Sequence, residues 1–402
     1  MFRKVLTISS TLALVACGGG SGTGSSATQD ACKNLESGTF NCSAMLNDLV
    51  EQAVRPVVSD LKTNLTQLNT DTISYCNDID ITANLNTAKE SWLAVMNNIQ
   101  QLQAMEFGPS ANTETGLSFF YSWEETSPLN VDIAVAKNTQ SNAGLSDINN
   151  RKELKAIEYI LFSPGTITNT ESQNADVQNW ITATNGDTAA IQNDRCDYAK
   201  LVTANLATKA VSFENSWNTY DLSSEAATAQ AAANEVTDAL FFADKKIKDA
   251  KVKAALPQAT NGMFDESKLE SQYAFKSKDH LINNLKGLKR IFTANGAGQG
   301  LDDYLTAAGE SDVATLMIDQ IDQAITNLEA IEGTLYAAVV AETTVSNCIA
   351  LATSENNATN LSDIEKLCNF QYTIKQFTDE LKEDFIIATQ FTTPASASGD
   401  ND

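Results

Sequence analysis

Only one histidine, His280, occurs in 402 residues, and that scarcity argues against most hydrolytic chemistry. A zinc peptidase needs two or three nitrogen, thiolate or carboxylate ligands and a base. A serine or cysteine triad would have to rely on the same imidazole, and the chain has no Gly-x-Ser-x-Gly elbow. The absence of a Cys-x-x-Cys pair or Cys/His cluster argues against a thiolate zinc site. Cations are also scarce: 27 Lys and Arg stand against 51 Asp and Glu, for a formal charge of -24. That balance argues against nucleic acid, because phosphate binding needs clustered cations. Prolines number only six, and strand-like alternation is almost lacking, so long helices are expected instead.

The N-terminus reads as a processing segment. Arg3 and Lys4 precede an apolar stretch from Val5 to Val15, which is too short to span a bilayer as a permanent helix. Leu14-Val15-Ala16-Cys17 then has the form of a bacterial lipobox, with residues 1–16 as leader and Cys17 as the lipidated residue. The Gly/Ser/Thr-rich residues that follow read as a flexible tether, giving a segment 17–42 between anchor and body. These features predict an outer-membrane lipoprotein, on the periplasmic side or the cell surface, held to the membrane by its lipid. The other six cysteines, Cys32, Cys42, Cys76, Cys196, Cys348 and Cys368, form an even set suited to an oxidising compartment. Fifteen connectivities are open to them. Spacing favours local clips Cys32–Cys42 and Cys348–Cys368, with Cys76–Cys196 as a long-range staple.

Apolar stripes at three/four spacing place helices at Ser43–Asn69 with a kink at Pro56, Ile81–Glu106, Arg151–Phe162, Thr188–Tyr220, Ser224–Leu256, Ser277–Phe292, Asp312–Leu351 and Leu361–Thr389. The expected fold is all-α, two packed helical bundles covering 43–222 and 223–391, with 392–402 as a disordered tail. Gln258–Lys276 reads as a loop or linker. The lysines Lys245, Lys246, Lys248, Lys251 and Lys253 read as a solvated helix face, and His280 as a packing or surface residue.

The richest motif is Glu153-Leu154-Lys155-Ala156-Ile157-Glu158-Tyr159-Ile160-Leu161-Phe162. Lys155 and Glu158, three apart, share a helix face and are expected to pair. The run resembles the signature helix of the imelysin family, in which a glycine, a histidine and a glutamate precede an aromatic and an apolar run. Lys155 stands in the histidine slot and Glu153 in the glycine slot. Other pieces are similar to the family in order and spacing: Ser91-Trp92-Leu93 leading to Met105-Glu106-Phe107-Gly108-Pro109, Asp194-Arg195-Cys196-Asp197-Tyr198 before Trp217, and Glu270-Ser271-Gln272-Tyr273 followed by Ser277 and Asn284, with Ala274 where a serine is common.

The resemblance implies an exported, all-helical protein with a site between two halves, associated with iron uptake and, for some members, metallopeptidase activity. Glu158, Lys155 and Glu106 become the candidate metal or ligand residues, with Glu106 reaching Glu158 if the Phe-Gly-Pro turn lies nearby. An ammonium at Lys155 repels cations and ligates metals poorly. An oxygen-ligated cation such as iron could still use the carboxylates. The reading is a non-enzymatic lipoprotein serving iron-related binding or uptake with a partner protein. The alternatives are a divergent metallopeptidase built from carboxylates, or a scaffold retaining only the fold.

Overall fold

The computed structural model describes residues 32, 35, 40–167, 173–225, 228–260, 262–341, 348–353 and 360–393. The expected leader 1–16, Cys17 and the tail beyond 393 lie outside the described residues. The rest belongs to one unit, Ala31–Asp402. Its helices include α1 Cys42–Asp48, α2 Arg55–Asn77, α3 Thr82–Gln103, α4 Pro128–Ser141, α5 Leu154–Phe162, α6 Ala175–Ala183, α7 Thr188–Thr219, α8 Ala229–Leu240, α9 Ser277–Phe292, α10 Leu301–Ala307, α11 Ser311–Glu329, α12 Leu335–Ala341, α13 Cys348–Thr353, α14 Asp363–Glu380 and α15 Ile386–Thr389, with single turns at Leu117–Phe120 and Leu222–Glu225. No strand occurs among the described residues, so the all-α expectation holds. None of the helices is long and apolar enough to cross a membrane, among those residues.

Helix α2 packs on α3 and α7, while α9 packs on α3 and α11, and α11 on α14. The α3 stripe of Trp92, Val95, Met96, Ile99 and Leu102 is wholly buried, as period-3.6 packing requires. Helices α3 and α9 cross closely because residue 287 is glycine. A Cβ there would come within 2.2 Å of the Gln101 carbonyl oxygen.

Several boundaries differ from expectation for local reasons. The helix expected from Ser43 starts as α1 and runs through a wide π-helical turn at Leu49–Val54 directly into α2, with Pro56 just after that turn. The single helix expected over Asp312–Leu351 breaks after Glu329, where Gly333 adopts φ +70°. Cys32, Phe40 and Cys42 are buried, and Phe40 packs edge-on against Tyr304, so the packed body starts before residue 43. The lysine stripe is a solvated face only in part, through Lys245, Lys246 and Lys253. The backbone from Ala243 to Val252 is π-helical, and Lys248 and Lys251 are buried.

Disulfides join Cys32 to Cys42, Cys76 to Cys196 and Cys348 to Cys368, the pairing that spacing favours. Beside Cys196, the buried Arg195 grips Asp132 of α4 through Nε (2.8 Å) and Nη2 (2.5 Å). Its remaining N–H groups reach the carbonyls of Ser163 (3.1 Å) and Thr166 (2.9 Å). The Tyr159 hydroxyl of α5 donates to the same aspartate at 2.8 Å.

Candidate functional site

Helix α5 opens on Glu153, whose carboxylate caps it by accepting the Lys155 N–H at 2.8 Å. The same carboxylate accepts the Thr126 hydroxyl (2.6 Å) and the Ser122 N–H (3.2 Å), tying the loop 121–126 to the helix. Burial pushes the Glu153 carboxyl up to about 7 despite these donors and the charge of Lys155.

One turn on, Lys155 and Glu158 form the ion pair their spacing predicts, 3.0 Å apart and buried. The pair is enclosed by the segment between α8 and α9. The Lys155 ammonium donates to the Glu270 carbonyl at 2.5 Å and lies 5.5 Å from the Tyr273 ring centre. Oε1 of Glu158 accepts the Ser271 hydroxyl (2.8 Å) and the N–H groups of Ala274 (3.0 Å) and Tyr273 (3.2 Å). Phe275 then turns the chain into α9 at φ +56°, a left-handed conformation that an aromatic residue adopts only when its surroundings impose it. Gln258–Lys276 is therefore more than a connection: it supplies half of the site.

A second pair lies next to the first. The Glu270 carboxylate accepts Gln100 Nε2 at 2.8 Å and stands 3.1 Å from Lys251 Nζ and 3.2 Å from His280 Nδ1. The Lys251 ammonium also reaches the side-chain oxygens of Gln100 (2.6 Å), Gln103 (2.8 Å) and Asn284 (2.9 Å). Burial alone would raise the Glu270 carboxyl, but the charges of Lys251 and His280 outweigh it and hold the group well below the usual carboxylate range. Burial lowers the Lys251 ammonium, opposed by Glu270. His280, expected as a packing or surface residue, is buried in this cluster between Trp92 and Tyr121. The Tyr121 hydroxyl is pushed well up by burial and then by the carboxylates of Glu270, Glu158 and Glu153.

Above this network is a cavity of about 190 Å³ whose lining includes Glu106, Tyr121, Trp123, Phe242, Lys246 and Lys251. The structure thus brings Lys155 and Glu158 together and places Glu106 on the wall of a cavity that neither of them lines. The donors fit a metal ion poorly. An ammonium holds one oxygen of Glu158, and a hydroxyl and two N–H groups hold the other. Among the described residues, no group of three or more His, Cys, Asp or Glu is placed to hold a metal. Lys251, Gln100 and His280 are the members that sequence reasoning missed. Glu270 and Asn284 were visible only as motif pieces.

An imelysin family model matches residues 54–365. Two solved structures share the fold. A protein described as an iron-regulated protein A precursor from Parabacteroides distasonis is 16% identical, with 85% of this chain and 95% of that chain covered and a TM-score of 0.60. An imelysin-like protein from Psychrobacter arcticum is 13% identical, with 88% and 96% covered and a TM-score of 0.65. No curated protein matches the chain.

Proposed function

The chain belongs to the imelysin family, and from that premise we propose that it is a non-enzymatic, lipid-anchored binding protein serving iron-related binding or uptake. The observation that carries this reading is the closed state of the signature pair. Lys155 occupies the histidine slot, and its charge meets Glu158 and the Glu270 carbonyl, leaving no coordination position there for a catalytic metal. The iron-related part rests on the family resemblance and on the description of the Parabacteroides relative as iron-regulated. Export and anchoring rest on the leader pattern ending at Cys17, and two helical halves meeting at α3 and α9 complete the reading.

Metal analysis of the purified protein, isothermal titration with ferric and zinc ions and a peptidase assay test it together. The expected wild type shows no zinc-dependent proteolysis, and Lys155→His gains transition-metal affinity that Lys155→His with Glu158→Ala loses again. Metal-dependent cleavage by the wild type, abolished in Glu158→Ala, would instead establish the carboxylate-built peptidase. For the anchor, Cys17→Ser should block processing and release the protein from membranes, and unchanged membrane association would refute it.

A further inference from the structure

The cavity above the buried network contains a carboxylate without a partner. Lys251 directs its N–H groups to Gln100, Gln103, Asn284 and Glu270, and Lys246 pairs with Glu124 at 3.1 Å. Glu106, on the same wall, has neither hydrogen bond nor ion pair among the described residues. Its side chain reaches solvent at the mouth of the cavity, where partial desolvation raises its carboxyl above the usual range and the charge of Lys246 offsets part of that. Gln103, the last residue of α3, also lines the space, so the negative end of a 22-residue helix lies at the same wall. Trp123, Tyr121 and Phe242 supply aromatic surface, which attracts cations to its faces.

We propose that this cavity binds a small organic monocation, an ammonium or guanidinium on a short apolar body, with Glu106 as its counter-ion and Trp123 against its body. The proposal rests on the reading of the chain as a binding protein and names the ligand class. The cavity measures about 190 Å³. A dry cavity of about 150 Å³ holds benzene, so roughly seven or eight non-hydrogen atoms fit. An anion is disfavoured because both lysines are already engaged.

The test is isothermal titration of the intact purified protein with benzylammonium, its neutral isostere benzyl alcohol, and benzoate. Benzylammonium should bind at least about tenfold more tightly than either, since a charge-assisted contact is at stake. Its affinity should rise as pH increases through the raised titration of Glu106. Glu106→Gln should weaken it about tenfold and Trp123→Leu a few-fold. Benzoate binding as tightly as benzylammonium, no binding of benzylammonium, or undiminished binding in a folded Glu106→Gln protein would each overturn the proposal. If Glu106→Gln fails to fold, the ligand comparison and Trp123→Leu decide. Peptidase activity in the wild type would overturn the non-enzymatic reading alone, whereas a silent benzylammonium titration would overturn the cavity proposal alone.

Discussion

Helix α5 serves two buried charge networks from adjacent residues, and they are built differently. Tyr159 faces the Arg195–Asp132 pair, where a planar guanidinium meets a carboxylate in bidentate fashion and its other N–H groups end on carbonyls. A disulfide fixes the neighbouring residue, and regular helices supply both charges. Glu158 faces the other network, where flexible lysines replace arginine, a π-helical stretch carries Lys251, and an irregular segment with a left-handed phenylalanine carries Glu270. This second network reaches a cavity through Lys251, which lines it beside Glu106. The contrast separates a staple from a site: both satisfy the rule that buried charge must be paired, but irregular backbone and adjustable donors gather where a ligand can enter.

The sharpest break of that contrast is Asp132→Ala, which strands the Arg195 guanidinium in the core. It should cost about 3–5 kcal/mol, measured by urea unfolding. The paired replacement Asp132→Leu with Arg195→Met should recover most of the loss.

The site network should instead show its strain through pH. Glu153 titrates at about 7 folded against 4.5 unfolded. Because the folded value is raised, its contribution is present below about pH 4.5 and disappears as pH climbs through 7. With one unit equal to about 1.4 kcal/mol, stability should fall by about 3 kcal/mol over that window. Glu153→Gln should flatten the slope in unfolding experiments run between pH 4 and 8.

Lys155→Met comes next, at about 2 kcal/mol, less than Asp132→Ala because Glu158 keeps three donors from residues 271–274. A loss equal to that of Asp132→Ala would erase the distinction between the networks. An effect of similar size is expected for Gly287→Ala, which forces α3 and α9 apart and should cost roughly 1–3 kcal/mol. It should also reduce ligand binding, since Gln100, Gln103 and Asn284 meet at that crossing.

Legibility followed backbone regularity. Trp92, Ile99 and Leu102 announced α3 by their spacing, the Lys155–Glu158 pair followed from helix geometry, and cysteine spacing favoured the disulfides that form. Lys248 and Lys251 were misread because a 3.6-residue period does not describe a π-helical turn, whose side chains rotate to other faces. The Glu270–His280 pair was missed because an irregular segment separates its members, and no periodicity registers such a contact. Gln100 and Asn284 meet across 184 positions, and neither residue type stands out in a chain rich in amides.

The disulfide order has a consequence for how this molecule is made. Leaving Cys17 aside, the bridges join first to second, third to fourth and fifth to sixth cysteine in chain order. A polypeptide entering an oxidising compartment N-terminus first can therefore couple each thiol to the next one that emerges and arrive at the native set without reshuffling. The longest wait falls between Cys76 and Cys196. During it α5 is already exposed while Glu270, 74 residues beyond Cys196, has still to arrive, so the staple can close before the site exists.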